Sequence, residues 1–208
     1  MNIFHILNRG IEKKKVFYDK TDYSRFIAGL YKFNNKNSAL RFENKNFIDI
    51  PKQNKIVEIL QWNIMPNHYH LLVQEKVDGG AVEFVKRIGN GYTKYFNIRN
   101  NRSGYLFQNA AKIIPVVHNK HFLYLPFYIE SNPIKLIEPN WKENGIKNSK
   151  KAAEFLESYF WSSYLDHISI HNFPEIINQN LFFQIFDTNP EQYKADFLEW
   201  LSNVNLPR

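Results

Sequence analysis

The tightest constraint on this chain is a pair of apolar runs joined by a turn. Residues 55–65 read Lys-Ile-Val-Glu-Ile-Leu-Gln-Trp-Asn-Ile-Met, and residues 68–75 read His-Tyr-His-Leu-Leu-Val-Gln-Glu, with Pro66-Asn67 between them. Proline presets its own φ, and an asparagine side chain bonds the backbone just beyond it, so this dipeptide turns the chain. Two such runs around a turn predict a β-hairpin. Alternation along the second strand sends Tyr69, Leu71 and Val73 to one face and His68 and His70 to the other. Two imidazoles converging from a rigid strand beside a turn make half of a divalent-metal site. The same spacing also fits two strand histidines with no ligand role.

The remaining elements arrange themselves around this hairpin. Residues 3–7 (Ile-Phe-His-Ile-Leu) read as a first strand ending at Asn8-Arg9-Gly10. Asp19 to Asp22 offer helix caps, and Phe26, Leu30 and Phe33 recur at helical spacing, so 21–34 is a first helix. Residues 35–54, rich in Asn and Lys, read as a loop or irregular insertion. Val82, Val85, Ile88 and Tyr92, then Tyr95 or Phe96, step by three and four and predict a helix over 80–97. Residues 105–117 predict a fourth strand with a bulge near Ala110-Ala111. Residues 119–132 predict a helix interrupted by Pro126, where a kink is expected.

This order, βαββαβ followed by a helix, predicts an α+β, ferredoxin-like fold: an antiparallel sheet with helices on one side. Residues 139–151 read as a polar loop. Phe155 to Tyr164 form an aromatic cluster expected to dock on the domain. Residues 173–204 carry two short amphipathic helical patterns that include Phe197, Trp200 and Leu201. The expected division is a domain over 1–170 and a helical C-terminal extension over 171–208.

The net charge is +7 and the pI is about 9.4, a surplus that favours polyanionic partners. The bases cluster. Arg9, Lys13, Lys14 and Lys15 form one group, and Lys86, Arg87, Lys94, Arg99 and Arg102 a second. Tyrosines and asparagines interleave with the second group, and stacking combined with charge is how single strands are held. A merely solvated charged face is the plainer alternative. There are no cysteines, which excludes disulfides, thiolate metal sites and cysteine nucleophiles. No apolar run reaches the length of a membrane span, and no secretory leader opens the chain. The expectation is a cytoplasmic protein with no membrane partner.

Further on, Phe127-Tyr128-Ile129-Glu130-Ser131-Asn132-Pro133 places Tyr128 and Asn132 one helical turn apart, on one face. Tyr128 is then a candidate nucleophile with Asn132 an oxygen ligand beside it. Alternatively, Tyr128 is an amphipathic aromatic and Asn132 caps the helix before Pro133. Tyr124 shares the stripe and competes with Tyr128.

Taken together, Pro66-Asn67-His68-Tyr69-His70-Leu71-Leu72 and Tyr128-Ile129-Glu130-Ser131-Asn132-Pro133 resemble the HUH single-tyrosine transposases, in particular the REP-associated tyrosine transposases. Asn8-Arg9-Gly10, Tyr92-Thr93-Lys94-Tyr95-Phe96-Asn97, Gly104-Tyr105-Leu106-Phe107-Gln108 and Trp161-Ser162-Ser163-Tyr164 extend the resemblance, in consistent order, over residues 1–170. Tyr69 stands where a bulky hydrophobic residue is commonest.

The resemblance implies a metal-dependent transposase that cleaves and rejoins single-stranded DNA at hairpin-containing ends. His68, His70 and Asn132 would hold a divalent cation, Mg²⁺ or Mn²⁺, although two imidazoles would also suit Zn²⁺ or Ni²⁺. Tyr128 would attack phosphorus and form a 5′-phosphotyrosine bond. The absence of a Gly-x-x-x-x-Gly-Lys loop agrees with a reaction that needs no ATP. No partner base is identified by spacing, and neither His121 nor Glu130 is assigned. Relatives pair their sheets, so a homodimer is implied. The alternatives are an inactive or domesticated hairpin-binding module and an unrelated metal hydrolase built on His68 and His70.

Overall fold

The computed structural model describes residues 2–36, 55–117 and 120–204. Its elements are β1 (Ile3–Arg9), α1 (Lys20–Lys32), β2 (Val57–Met65), β3 (His68–Glu75), α2 (Gly80–Arg99), β4 (Lys112–Pro115), α3 (Lys120–Ser131), α4 (Trp141–Asn144), α5 (Ser149–Glu157), α6 (Tyr164–His167), α7 (Gln179–Phe186) and α8 (Pro190–Asn203). The strands make one four-stranded sheet in the order β2-β3-β1-β4. β1 runs antiparallel to both β3 and β4. This is the expected ferredoxin-like α+β arrangement. Two compact units divide the chain, Met1–Ile59 with Pro66–Val116 and Leu60–Met65 with Val117–Arg208.

In the first unit, strand register sorts the side chains by face. Phe4 lies opposite Val73, Ile6 opposite Leu71 and Asn8 opposite Tyr69. This face is covered by helices: the Phe26 ring of α1 packs 4.8 Å from Tyr69, and Tyr92 of α2 packs 5.3 Å from Phe26. Tyr69 is fully buried, as its alternation predicts. The other face carries His5 opposite Leu72, Leu7 opposite His70 and Arg9 opposite His68. α1 starts where it does because the Asp19 carboxylate accepts from the Thr21 and Asp22 amides, satisfying donors that the helix cannot. Gly91 lets α2 pass against the end of α1, since a Cβ there would lie 2.4 Å from the Phe33 ring.

Three sequence expectations change. The fourth strand is only Lys112–Pro115, not 105–117, so no bulge forms at Ala110-Ala111. Residues 105–111 instead form a loop held at the end of β1, where Ile11 N–H donates to the Leu106 carbonyl and Gln108 N–H to that of Arg9. Small and polar residues at 108–111 leave nothing to bury as a strand, and Pro115 has no N–H to extend the ladder. Residues 139–151 are not all loop, because they form α4 and the start of α5, with Trp141 buried. α3 runs through Pro126 and gives way at Asn132 to a 3₁₀ segment ending at Leu136. Most of the expected loop at 35–54 lies outside the described residues.

The second unit is built on Leu60–Met65. The aromatic cluster docks there: Ile64 N–H donates to the Trp161 carbonyl, Ser163 N–H to that of Trp62, and the Tyr159 hydroxyl to that of Ile64 at 2.7 Å. The two tail helices close an aromatic core in which Phe197 packs 4.9 Å from Tyr164 and 5.5 Å from Phe127. No helix among the described residues is long and apolar enough to cross a membrane.

Candidate active site

His68 and His70 lie in the first unit, at the start of β3. Both are buried, their ring centroids are 5.1 Å apart and their planes are inclined by 80°. The turn residue Asn67 orients His68. Its Nδ2 donates to the Lys13 carbonyl, so its Oδ1 is the atom 2.6 Å from His68 Nδ1. An amide oxygen only accepts, so His68 carries a hydrogen on Nδ1. His70 Nδ1 lies 2.9 Å from His5 Nε2, and the two rings are nearly coplanar with centroids 5.2 Å apart. In both histidines Nδ1 faces a neighbouring side chain, as is usual for imidazoles that bind a metal through Nε2. The described residues gather no group of three His, Cys, Asp or Glu side chains.

Tyr128 and Asn132 lie in the second unit. Asn132 Nδ2 donates to the Tyr128 carbonyl at 2.7 Å and the Ile129 carbonyl at 3.3 Å, closing the last turn of α3. Asn132 is buried, and its Oδ1 is left to accept from Lys142 Nζ at 3.1 Å. Capping and cation binding are thus compatible roles of one amide. The same ammonium donates to Tyr128 Oη at 3.0 Å and sits 4.1 Å from the ring centroid. Tyr124 instead lines a groove with Leu123, Phe127, Trp200 and the carboxylates of Asp196 and Glu199. Of the two tyrosines, Tyr128 is the one recorded beside Asn132 and Lys142.

Glu130 is no candidate base. It is fully buried, accepting from Ser163 Oγ at 2.9 Å, His167 Nδ1 at 2.7 Å and the Tyr193 hydroxyl at 2.7 Å. His167 Nε2 meets the Leu60 carbonyl at 3.1 Å. The Leu60 carbonyl can only accept, so Nε2 of His167 carries a hydrogen. The Ser163 of Trp-Ser-Ser-Tyr is thereby explained as part of a buried hydrogen-bonded network.

The basic residues divide by what they touch. Arg99 is clamped by Asp19 and Asp22, and Arg87 by Glu83 and the Asn35 carbonyl. Arg102 donates to the Tyr105 carbonyl and lies over the Phe96 ring. Lys14 pairs with Glu12, while Arg9, Lys13, Lys86 and Lys94 are exposed. Tyr92 and Tyr95 are internal struts, donating to the Val16 carbonyl and to Asp22.

Two residues at these positions carry no sequence signal. His5 looks like an ordinary strand residue until register sets it beside His70. Lys142 sits in a polar stretch with no motif around it.

Residues 3–132 match the family described as Transposase IS200 like. A solved structure of a REP-associated tyrosine transposase bound to a REP hairpin shares the fold, with a TM-score of 0.51 and 15% identity over 83% of this chain and 82% of that one. No curated protein sequence matches. The family match runs from β1 through both histidines to Asn132 and spans more than half of the chain, which therefore belongs to the IS200-like transposases.

Proposed function

We propose that this chain is a metal-dependent strand transferase that cleaves and rejoins single-stranded DNA at hairpin-bearing ends. The observation that carries this reading is the pairing on α3, where the Tyr128 hydroxyl and Asn132 Oδ1 share one ammonium. A nucleophile and an oxygen donor thus stand side by side where positive charge is already favoured.

His68 and His70 through Nε2, together with Asn132 through Oδ1, would hold Mg²⁺ or Mn²⁺. When bound, that cation withdraws charge from the phosphate and orients it. Tyr128 gives up its phenolic proton and its oxygen bonds to phosphorus, while the phosphorus–O3′ bond breaks and the departing oxygen takes a proton to become a 3′-hydroxyl. The phosphotyrosine keeps the energy of the broken linkage, so a second 3′-hydroxyl reverses the step without ATP. Arg9, Lys13, Lys14, Lys86, Arg87, Lys94, Arg99 and Arg102 contact phosphates, Lys14, Arg87 and Arg99 from positions set by their carboxylate partners. The solved relative carries a hairpin, which suggests the same class of DNA here. Residues 1–170 form the catalytic region, 171–208 a helical extension, and the working form is a homodimer.

The test is a labelled single-stranded hairpin incubated with Mg²⁺ or Mn²⁺ and resolved on a denaturing gel. Wild type yields a shifted protein–DNA adduct, and Tyr128→Phe yields none. His68→Ala and His70→Ala bind the hairpin and fail to cleave it. Tight binding with no adduct from wild type would make the chain a binding module. Unchanged cleavage by Tyr128→Phe, with no adduct, would make it a hydrolase.

A further inference from the structure

Of the residues around the histidine pair, His5 is the one whose presence the metal reading alone does not explain. It lies in β1, opposite Leu72 and so on the same face as His70. It is nine-tenths buried, its ring lies edge to edge with that of His70 with planes inclined by 15°, and its Nε2 is 2.9 Å from His70 Nδ1. Only one hydrogen fits between two nitrogens. If it belongs to His70, Nε2 of His70 keeps its lone pair. If it belongs to His5, Nε2 of His70 carries the other hydrogen and is closed to a cation. Asn67 removes this ambiguity for His68, because an amide oxygen cannot donate. For His70 the neighbour is a second imidazole, which can do either.

We propose that His5 is a positioning residue for His70: its Nε2 accepts the Nδ1 hydrogen of His70, which fixes the ring plane and keeps the His70 Nε2 lone pair for a divalent cation. This deepens the proposed function and rests on its metal assignment. The near-coplanar, edge-to-edge arrangement of the two rings points the His70 Nδ1–H straight at the His5 Nε2 lone pair. Both histidines of the pair then enter the site with the same nitrogen preselected, one by an amide from the turn and one by an imidazole from the neighbouring strand.

The test uses the full chain with His5→Gln and His5→Phe, with His70→Ala as reference. A glutamine amide oxygen reaches close to where Nε2 of the imidazole sits and can only accept if turned towards His70. Phenylalanine keeps the ring and removes the acceptor. Two readouts are taken on variants whose thermal melting shows them folded: the ¹⁵N tautomer signature of His70, and Mn²⁺ affinity by calorimetry. The expected result is an Nδ1-protonated His70 in wild type and His5→Gln, with near wild-type Mn²⁺ affinity in both. In His5→Phe the tautomer preference is lost and Mn²⁺ affinity falls about 10–100-fold, the usual cost of removing a metal ligand's hydrogen-bond partner. An Nε2-protonated His70 in wild type would overturn the proposal, as would undiminished Mn²⁺ affinity in folded His5→Phe. Absence of Mn²⁺ binding by wild type, with His70 still Nδ1-protonated through His5, would instead overturn the metal assignment and leave the control of the tautomer standing.

Discussion

Lys142 Nζ lies 3.0 Å from Tyr128 Oη and 3.1 Å from Asn132 Oδ1. In the proposed reaction an ammonium against the phenol oxygen would favour the negative charge that grows there as the oxygen loses its proton and attacks. It would likewise steady the same oxygen as a leaving group when a 3′-hydroxyl reverses the step. Lys142→Met is expected to slow adduct formation by roughly 10²-fold, the scale for losing one such donor, with hairpin affinity little changed. Lys142→Arg should recover part of the rate. Single-turnover adduct formation, measured beside equilibrium hairpin binding, separates the two effects.

Glu130 follows Tyr128 by two residues and is the centre of the buried network with Ser163, His167 and Tyr193. Removing one partner of a buried hydrogen-bonded pair leaves a polar group of the other unsatisfied. His167→Leu is expected to cost roughly 3 kcal/mol in urea unfolding. The double variant Glu130→Leu/His167→Leu should recover a good part of that loss, since neither polar group then loses its partner while staying buried.

Asp19 caps α1 and is clamped by Arg99. The Arg99 hydrogen bond, aided by those from the Asp22 and Thr21 amides, pulls the Asp19 carboxyl from its usual 3.8 down to about 2. A depressed carboxyl pKa means that its contribution to stability is fully present above the unfolded value and is lost as pH falls through the folded one. The cap and clamp should therefore persist at pH 4 and fail as the pH approaches about 2. A carboxyl ¹³C titration is expected to show this midpoint, and in Arg99→Gln the midpoint should return towards the ordinary value.

Tyr69 occupies the position between the two histidines and turns its hydroxyl into the helix-covered face. That hydroxyl is buried and has no hydrogen-bond partner among the described residues. Burying a hydroxyl unpaired costs free energy, and phenylalanine keeps the packing against Phe26 while removing the cost. Tyr69→Phe is expected to raise stability by about 1 kcal/mol in chemical denaturation, without changing adduct formation.

How much of this was legible in the sequence depended on whether the signal was local. Alternation through His68-Tyr69-His70 places the histidines on one face and Tyr69 on the other, because a two-residue period is a property of the strand alone. The Asp19 cap and the Phe26, Leu30, Phe33 stripe likewise carry α1 within themselves. Tyr105-Leu106-Phe107 misleads: it is composed like a strand, yet it forms a loop held to the end of β1, a decision made by residues far away. Trp141 is a lone buried aromatic in a polar stretch, with no period to announce α4. His5 becomes meaningful only through the register of β1 on β3. Lys142 does so only through the turn that returns the chain to α3. Both are non-local facts that no window of sequence contains.

The central claim is that Tyr128 becomes covalently joined to DNA. The most direct measurement is mass spectrometry of the wild-type protein after reaction with a single-stranded hairpin and Mn²⁺, followed by nuclease and protease digestion. The account predicts a nucleotide phosphate attached to the peptide containing Tyr128, with fragment ions placing it on that residue, and no such peptide without the metal. Attachment at Tyr124, or cleaved DNA with no modified tyrosine at all, would contradict it.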